Sequence, residues 1–261
     1  MLNARNVTYS IGNFRLVEDI TLDFKSGELA VIMGQNGAGK STLLKILAGS
    51  LKHYAGEVIM MDRSLDSFSD LELAKTRAVL SQHYDVSFPI PVGEIVLMGR
   101  YPHFKNTPSA NDNVICEKAM EMMGVTQLSD RDYNTLSGGE SQKVQMARVL
   151  AQIWQAEENE QKILFLDEPV SSLDLHYQHY ILRIAKEYAK SNILVIAVLH
   201  DINLAFNYAD RVIFMKTGKI VKTYSGDEEV DKAVVSEVFD VKTEIIKNPF
   251  SNKPIFVVDE K

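Results

Sequence analysis

The chain has 261 residues, 46% of them apolar and 24% charged, with a formal net charge of −7. These values suit a globular chain with one large core, or a core with an inserted subdomain, and lack the basic footprint of a nucleic-acid binder. A single cysteine, Cys116, excludes an internal disulfide and fits a reducing cytosol. The N-terminal stretch Met1 to Arg5 shows no signal-peptide pattern. The longest apolar run, Ile193 to Leu199, is far short of the roughly 20 residues that span a bilayer. The protein is therefore expected not to cross a membrane, while remaining able to dock on one through a partner.

In chain order, Asn6 to Tyr9 and Phe14 to Phe24 alternate as strands do. Ser26-Gly27-Glu28 turns the chain into an apolar strand, Leu29 to Met33. Gly34-Gln35-Asn36-Gly37-Ala38-Gly39-Lys40-Ser41 comes next, the spacing G-x-x-x-x-G-K-S of a phosphate-binding P-loop. Its glycines let backbone N–H groups converge on an anion, and a helix opening at Lys40 points its positive end there. Lys40 can neutralise β and γ phosphates, and the Ser41 hydroxyl can ligate Mg²⁺. That helix stops at Ala48-Gly49. Gly56 to Met61 is a further strand, and Thr76 to Gln82 a short one ending in glutamine.

From Ser87 the composition changes. Phe88-Pro89-Ile90-Pro91-Val92 leads into a helix, Gly93 to Gly99, and Asn113 to Gly124 forms another. The 83–135 stretch carries no strand signal and reads as an all-helical insertion. Ser137 and Glu140 have capping-box spacing, so Leu136-Ser137-Gly138-Gly139-Glu140 opens a helix whose N-terminus is a second anion site. Ile163 to Leu166 is a short buried strand ending in Asp167-Glu168. A helix starts near Ser171 to Asp174, and a second buried strand, Ile193 to Leu199, ends in His200. Arg211 to Met215 and Lys219 to Tyr224 form a hairpin about Thr217-Gly218. The tail holds a small helix, Val230 to Phe239, and two short strands. The alternation argues an α/β parallel sheet with binding groups at its carboxyl edge.

Four pieces then read as one site. Asp167 can hold Mg²⁺, Glu168 can act as general base on water, and Gln82 can ligate the metal and orient that water. His200 can reach the γ-phosphate or hold the attacking water. Taken alone, a strand-end histidine is more often structural, and an Asp-Glu pair is more often a solvated cap. Behind a P-loop and in this order they become a constellation.

On these residues the sequence resembles the ATP-binding subunits of ATP-binding-cassette (ABC) transporters over about residues 2–225. GQNGAGKST (Gly34 to Thr42) matches Walker A, Gln82 the Q-loop, LSGGE the signature, ILFLDEP Walker B, SSLD the D-loop and His200 the switch histidine. The resemblance implies a P-loop NTPase of α/β class with an N-terminal antiparallel β subdomain and an inserted helical subdomain. The implied division is 1–82 with 157–225 as nucleotide-binding core, 83–156 as helical subdomain and 226–261 as C-terminal extension. It also implies ATP and Mg²⁺ as cofactors and a head-to-tail homodimer. Each ATP then lies between Lys40 of one copy and Ser137, Gly138, Gly139 and Glu140 of the other. Ile11 stands where the family stacks an aromatic on adenine, with Tyr9 and Phe14 nearby.

FPIPVGEIVLMGRYPHF (88–104) resembles the importers of haem, siderophores and cobalamin. Phe88-Pro89, and ARVLAQIW (Ala147 to Trp154) succeeded by a polar loop at 156–161, resemble the haemin-importing members. This likeness implies a two-subunit transmembrane permease as partner and a periplasmic haem-binding protein as indirect partner, with no nucleic acid and no direct haem contact. The implied place is the cytoplasmic face of the bacterial inner membrane. Siderophore or cobalamin import stays open as the alternative, with an exporter ATPase or a soluble ABC ATPase behind it. His176 and His179 have helical spacing but no accompanying carboxylate or cysteine cluster, so they read as solvated histidines rather than haem or metal ligands. His83 and His103 draw the same ligand question.

Overall fold

The computed structural model describes residues 1–82, 86–154, 161–226, 228–251 and 253–259. The chain divides into two compact units, 1–67 with 182–261 and 68–181.

The first unit begins with β1 (Leu2–Ile11) and β2 (Phe14–Phe24), an antiparallel pair. Then come β3 (Leu29–Met33), α1 (Lys40–Leu47), β4 (Ala55–Met60) and β5 (Arg63–Ser64). β2, β1, β4 and β5 form one antiparallel sheet in that order. All of β3 is buried, the pattern of a strand covered on both faces. α1 buries Leu43, Leu44, Ile46 and Leu47, each worth about 1.5–3 kcal/mol relative to exposure.

The second unit holds α2 (Asp70–Thr76), β6 (Arg77–Leu80), α3 (Val92–Met98), α4 (Ala110–Met123), α5 (Gly138–Ile153) and β7 (Ile163–Asp167). β6 and β7 pair in parallel, Leu80 opposite Leu166. α2 escapes a sequence reading because it buries only Leu73; its start is fixed by a Ser69–Glu72 capping box. α4 begins three residues before the expected Asn113, because Ser109 and Asp112 form a second capping box. Among the described residues of 83–135 there is no strand, only an isolated bridge between Pro91 and Asp132.

The division between the units falls inside α6 (Leu175–Lys190). The first unit then resumes with β8 (Leu194–Val198), α7 (Ile202–Tyr208), β9 (Arg211–Lys216) and β10 (Lys219–Ser225). β3 pairs in parallel with both β8 and β9. The β9–β10 turn places Thr217 and Gly218 both at positive φ, 47° and 81°, the type I′ geometry that suits a two-residue hairpin. The tail forms α8 (Lys232–Phe239) and an antiparallel pair, β11 (Lys242–Lys247) and β12 (Pro254–Asp259).

Candidate functional site

In the first unit the P-loop joins β3 to α1. Gly34, Gly37 and Gly39 have φ of 150°, 79° and 94°. A Cβ on Gly34 would sit 2.1 Å from the Met215 carbonyl oxygen, and one on Gly39 2.1 Å from that of Leu16. Around Gly37 nothing lies within 4 Å of such a Cβ. The loop is thus pressed against backbone at two glycines and open at the third. The Lys40 ammonium is buried and donates to the carbonyls of Gly34 and Gln35, 2.9 Å each. α1 opens at Gly39 with no side-chain cap and no acidic residue in its first turn. Ser41 and Thr42 are partly buried in that turn. A curled loop, an uncapped helix opening and a buried cation together fit the phosphates of a nucleotide.

Neighbouring backbone fixes this loop. Gly218 N donates to Ala38 O at 3.1 Å, and Gly218 O accepts from Glu18 N at 2.8 Å. The Gln35 amide reaches the tail, donating to Phe239 O at 2.9 Å. Ile32 of β3 is in register with Val198 of β8, so Gly34 and His200 each come two residues later at one sheet edge. His200 is exposed. Asp201 beside it caps α7 by accepting from the N–H groups of Asn203 and Leu204. Ile11 and Phe14 face each other at the β1–β2 tip, 59% and 78% exposed, while Tyr9 is only partly exposed.

In the second unit, the Leu80–Leu166 register places Gln82 and Glu168 each two residues past paired strand positions. Gln82 is exposed, and Asp167 is buried at the end of β7. Glu168 is held at φ 53°, a left-handed conformation that costs about 1–2 kcal/mol for a residue with a Cβ. Such strain persists where surrounding structure enforces it. Here the Glu168 carbonyl accepts from the Gln142 amide of α5 at 2.9 Å and from the Ser171 hydroxyl at 3.2 Å. Sequence reasoning passes over Gln142; its place two residues past the signature glutamate is the available signal.

α5 is capped as expected. The Glu140 carboxylate accepts from the Ser137 N–H and hydroxyl at 2.8 Å, and the Glu140 N–H donates back at 3.4 Å. The Ser137 backbone and side-chain bonds, aided by Arg131 and Lys143, hold the Glu140 carboxyl below its usual pKa. Ser137 and Gly138 are exposed, and a Cβ on Gly139 would lie 3.3 Å from Ser172 O. The signature turn therefore lies against the Ser171–Asp174 loop.

The MGRYPH and ARVLAQIW segments hold one another. Arg100 is buried, donating to Asp112 Oδ1 at 2.9 Å and to Ala151 O at 2.8 Å. The His103 ring lies 2.8 Å from Gln152 O, and burial pulls its pKa down. A Cβ on Gly99 would strike Arg148 O at 2.2 Å. His103 is thus a structural histidine. His176 is exposed and sits edge-on to Tyr177. His83 and residues 156–160 of the expected polar loop lie outside the described residues. Among the described residues no group of three His, Cys, Asp or Glu side chains could hold a metal, and no helix is long and apolar enough to cross a membrane.

The ABC transporter family profile matches residues 17–171. The chain is 38% identical over 260 residues to the hemin import ATP-binding protein HmuV of Escherichia coli O157:H7, covering 99% of this chain and 100% of that one. It superposes with a TM-score of 0.79 and 25% identity on an inward-facing transporter assigned to the metal-chelate ABC type, covering 98% and 96% of the two chains. The dimeric structure of MJ0796, a bacterial ABC transporter cassette, matches with a TM-score of 0.76 and 26% identity over 88% of this chain and 100% of that one.

Proposed function

Because the chain belongs to the ABC transporter family of ATP-binding subunits, we propose that it is the ATP-hydrolysing subunit that energises haemin uptake. In this reading it works as a head-to-tail homodimer on a two-subunit transmembrane permease, at the cytoplasmic face of the bacterial inner membrane. A periplasmic haem-binding protein delivers the cargo, and haem does not touch this chain. The observation that carries the nucleotide reading is the P-loop, where neighbouring backbone leaves no room for a Cβ at Gly34 or Gly39. The near full-length likeness to a hemin import protein supports the cargo.

Each residue then has a role. The backbone from Gly34 to Gly39 cradles the phosphates and Lys40 neutralises them. Ser41, Gln82 and Asp167 would hold Mg²⁺, which would neutralise phosphate charge there. Glu168 takes a proton from the attacking water, and His200 with Gln82 keeps that water in line. Ser137, Gly138, Gly139 and Glu140 complete the site of the partner copy, as a group supplied in trans does. The proposed division keeps 1–82 with 157–225 as core, 83–156 as helical subdomain and 226–261 as extension. Phe88 and Tyr101, 57% and 51% exposed, offer apolar surface for the permease.

A second reading, import of an iron–siderophore complex, draws on the metal-chelate type of the solved relative. Reconstitution with the permease in proteoliposomes separates the two. Haemin with its binding protein is expected to stimulate ATP turnover. Stimulation by a ferric siderophore and not by haemin would overturn the cargo.

A further inference from the structure

The carbonyl end of a helix leaves acceptors that its own turns do not satisfy. At the end of α8 two such carbonyls are taken by side chains from far away in sequence. The Gln35 amide, inside the P-loop, donates to Phe239 O at 2.9 Å. The Lys216 ammonium donates to Glu237 O at 2.5 Å, where the negative end of the helix also favours a cation. The Phe239 ring meets Phe214 of β9 edge-on, centroids 5.8 Å apart. Val235 and Val238 are buried, and Asp240 at φ 58° turns the chain away directly afterwards.

Lys216 is the last residue of β9, and the next turn holds the other side of the P-loop, Gly218 N donating to Ala38 O at 3.1 Å. The end of α8 therefore touches the loop directly at Gln35 and its brace at Lys216. We propose that α8 is a positioning element for the P-loop, with the Phe239 carbonyl fixing Gln35 and so pre-organising the phosphate cradle. The proposal rests on ATP binding at that loop. A loop held in its binding form loses less freedom when ligand arrives, so binding is tighter. The C-terminal segment thereby gains a function in nucleotide affinity.

The test measures affinity for a fluorescent N-methylanthraniloyl ATP with Mg²⁺, using the full chain and four variants. Gln35→Leu removes the donor. Asp240→Val disfavours the left-handed turn that ends α8, and Asp240→Gly keeps that turn available. Gln35→Leu and Asp240→Val are each expected to weaken binding about three- to tenfold, the scale of one hydrogen bond. Asp240→Gly is expected to bind like the wild type, and the fourth, combining Gln35→Leu with Asp240→Val, to lose less than the product of the two single effects, because both substitutions remove the Gln35–Phe239 contact. Wild-type affinity in Asp240→Val, or a double variant with multiplied effects, would overturn the proposal. Hydrogen exchange on the wild type reads the same coupling if Asp240→Val fails to fold. Nucleotide must then slow exchange at the last turn of α8, since coupling is reciprocal, and unchanged exchange there would overturn it. A wild-type chain that binds no nucleotide would strike the ATP reading instead.

Discussion

The side-chain amide of Gln142 donates a 2.9 Å hydrogen bond to the carbonyl oxygen of Glu168. Gln142 lies two residues past the signature glutamate, and Glu168 is the proposed general base at φ 53°. The bond ties the strained turn to α5. Replacing Gln142 with Leu is expected to lower kcat about three- to tenfold, the value of one hydrogen bond. KM for ATP should stay within about twofold, because the loss is felt in positioning rather than in uniform binding. Steady-state ATPase kinetics read the split.

Glu168→Gln removes the proposed base and keeps its shape. ATP binding is expected to persist while turnover falls by about 10²–10⁴-fold, the usual contribution of a positioned base. The variant should also accumulate as an ATP-bound dimer, visible by size-exclusion chromatography. Normal hydrolysis would remove Glu168 from that role.

The P-loop glycines should respond differently to alanine. At Gly34 a Cβ would collide with the Met215 carbonyl, so Gly34→Ala is expected to cost about 2–4 kcal/mol from overpacking and positive φ together. At Gly37 space is open and only its φ of 79° opposes the change, so the cost should be nearer about 1 kcal/mol. Urea unfolding of the two variants gives the comparison.

The Arg100–Asp112 pair makes a pH prediction. Burial raises the Asp112 carboxyl, but bonds from the Ser109 hydroxyl and N–H and from Arg100 outweigh it, leaving the pKa below the usual value. Stability from this group is then fully present above the unfolded carboxylate pKa of about 4, and is lost as pH falls through the lower folded value. The Tm gap between wild type and Asp112→Asn should therefore be constant near neutrality and narrow below about pH 4. Arg100→Leu, which strands the buried carboxylate, is expected to cost about 3–5 kcal/mol.

Strands and motif helices are legible in the sequence where a strong local signal exists. β3 and β8 are short, wholly apolar runs, β7 is apolar up to its terminal Asp167, and α5 opens on a capping box. α2 is not legible, because a helix burying one leucine has no apolar stripe to read. The P-loop, the Walker B carboxylates and the signature are readable because phosphate chemistry demands fixed residue types at fixed spacing. The bonds that steady them are not. Gln142 to Glu168 and Gln35 to Phe239 each end on a backbone carbonyl, and a carbonyl leaves no mark in residue identity. The MGRYPH segment likewise reads as a family signature in sequence, while in the fold Arg100 and His103 are bound to internal partners.

In the proposed dimer each chain carries half of two ATP sites and a second copy supplies the rest. Complementation between two inactive variants tests it most directly. Lys40→Ala disables the P-loop, and Ser137→Arg disables the signature turn. In a head-to-tail dimer of one copy of each, one site pairs an intact P-loop with an intact signature. Mixing the two proteins, with the permease if ATPase activity needs it, is predicted to restore ATP hydrolysis that neither shows alone. A mixture as inactive as its components, with heterodimers demonstrably formed, would rule out ATP sites shared between two copies.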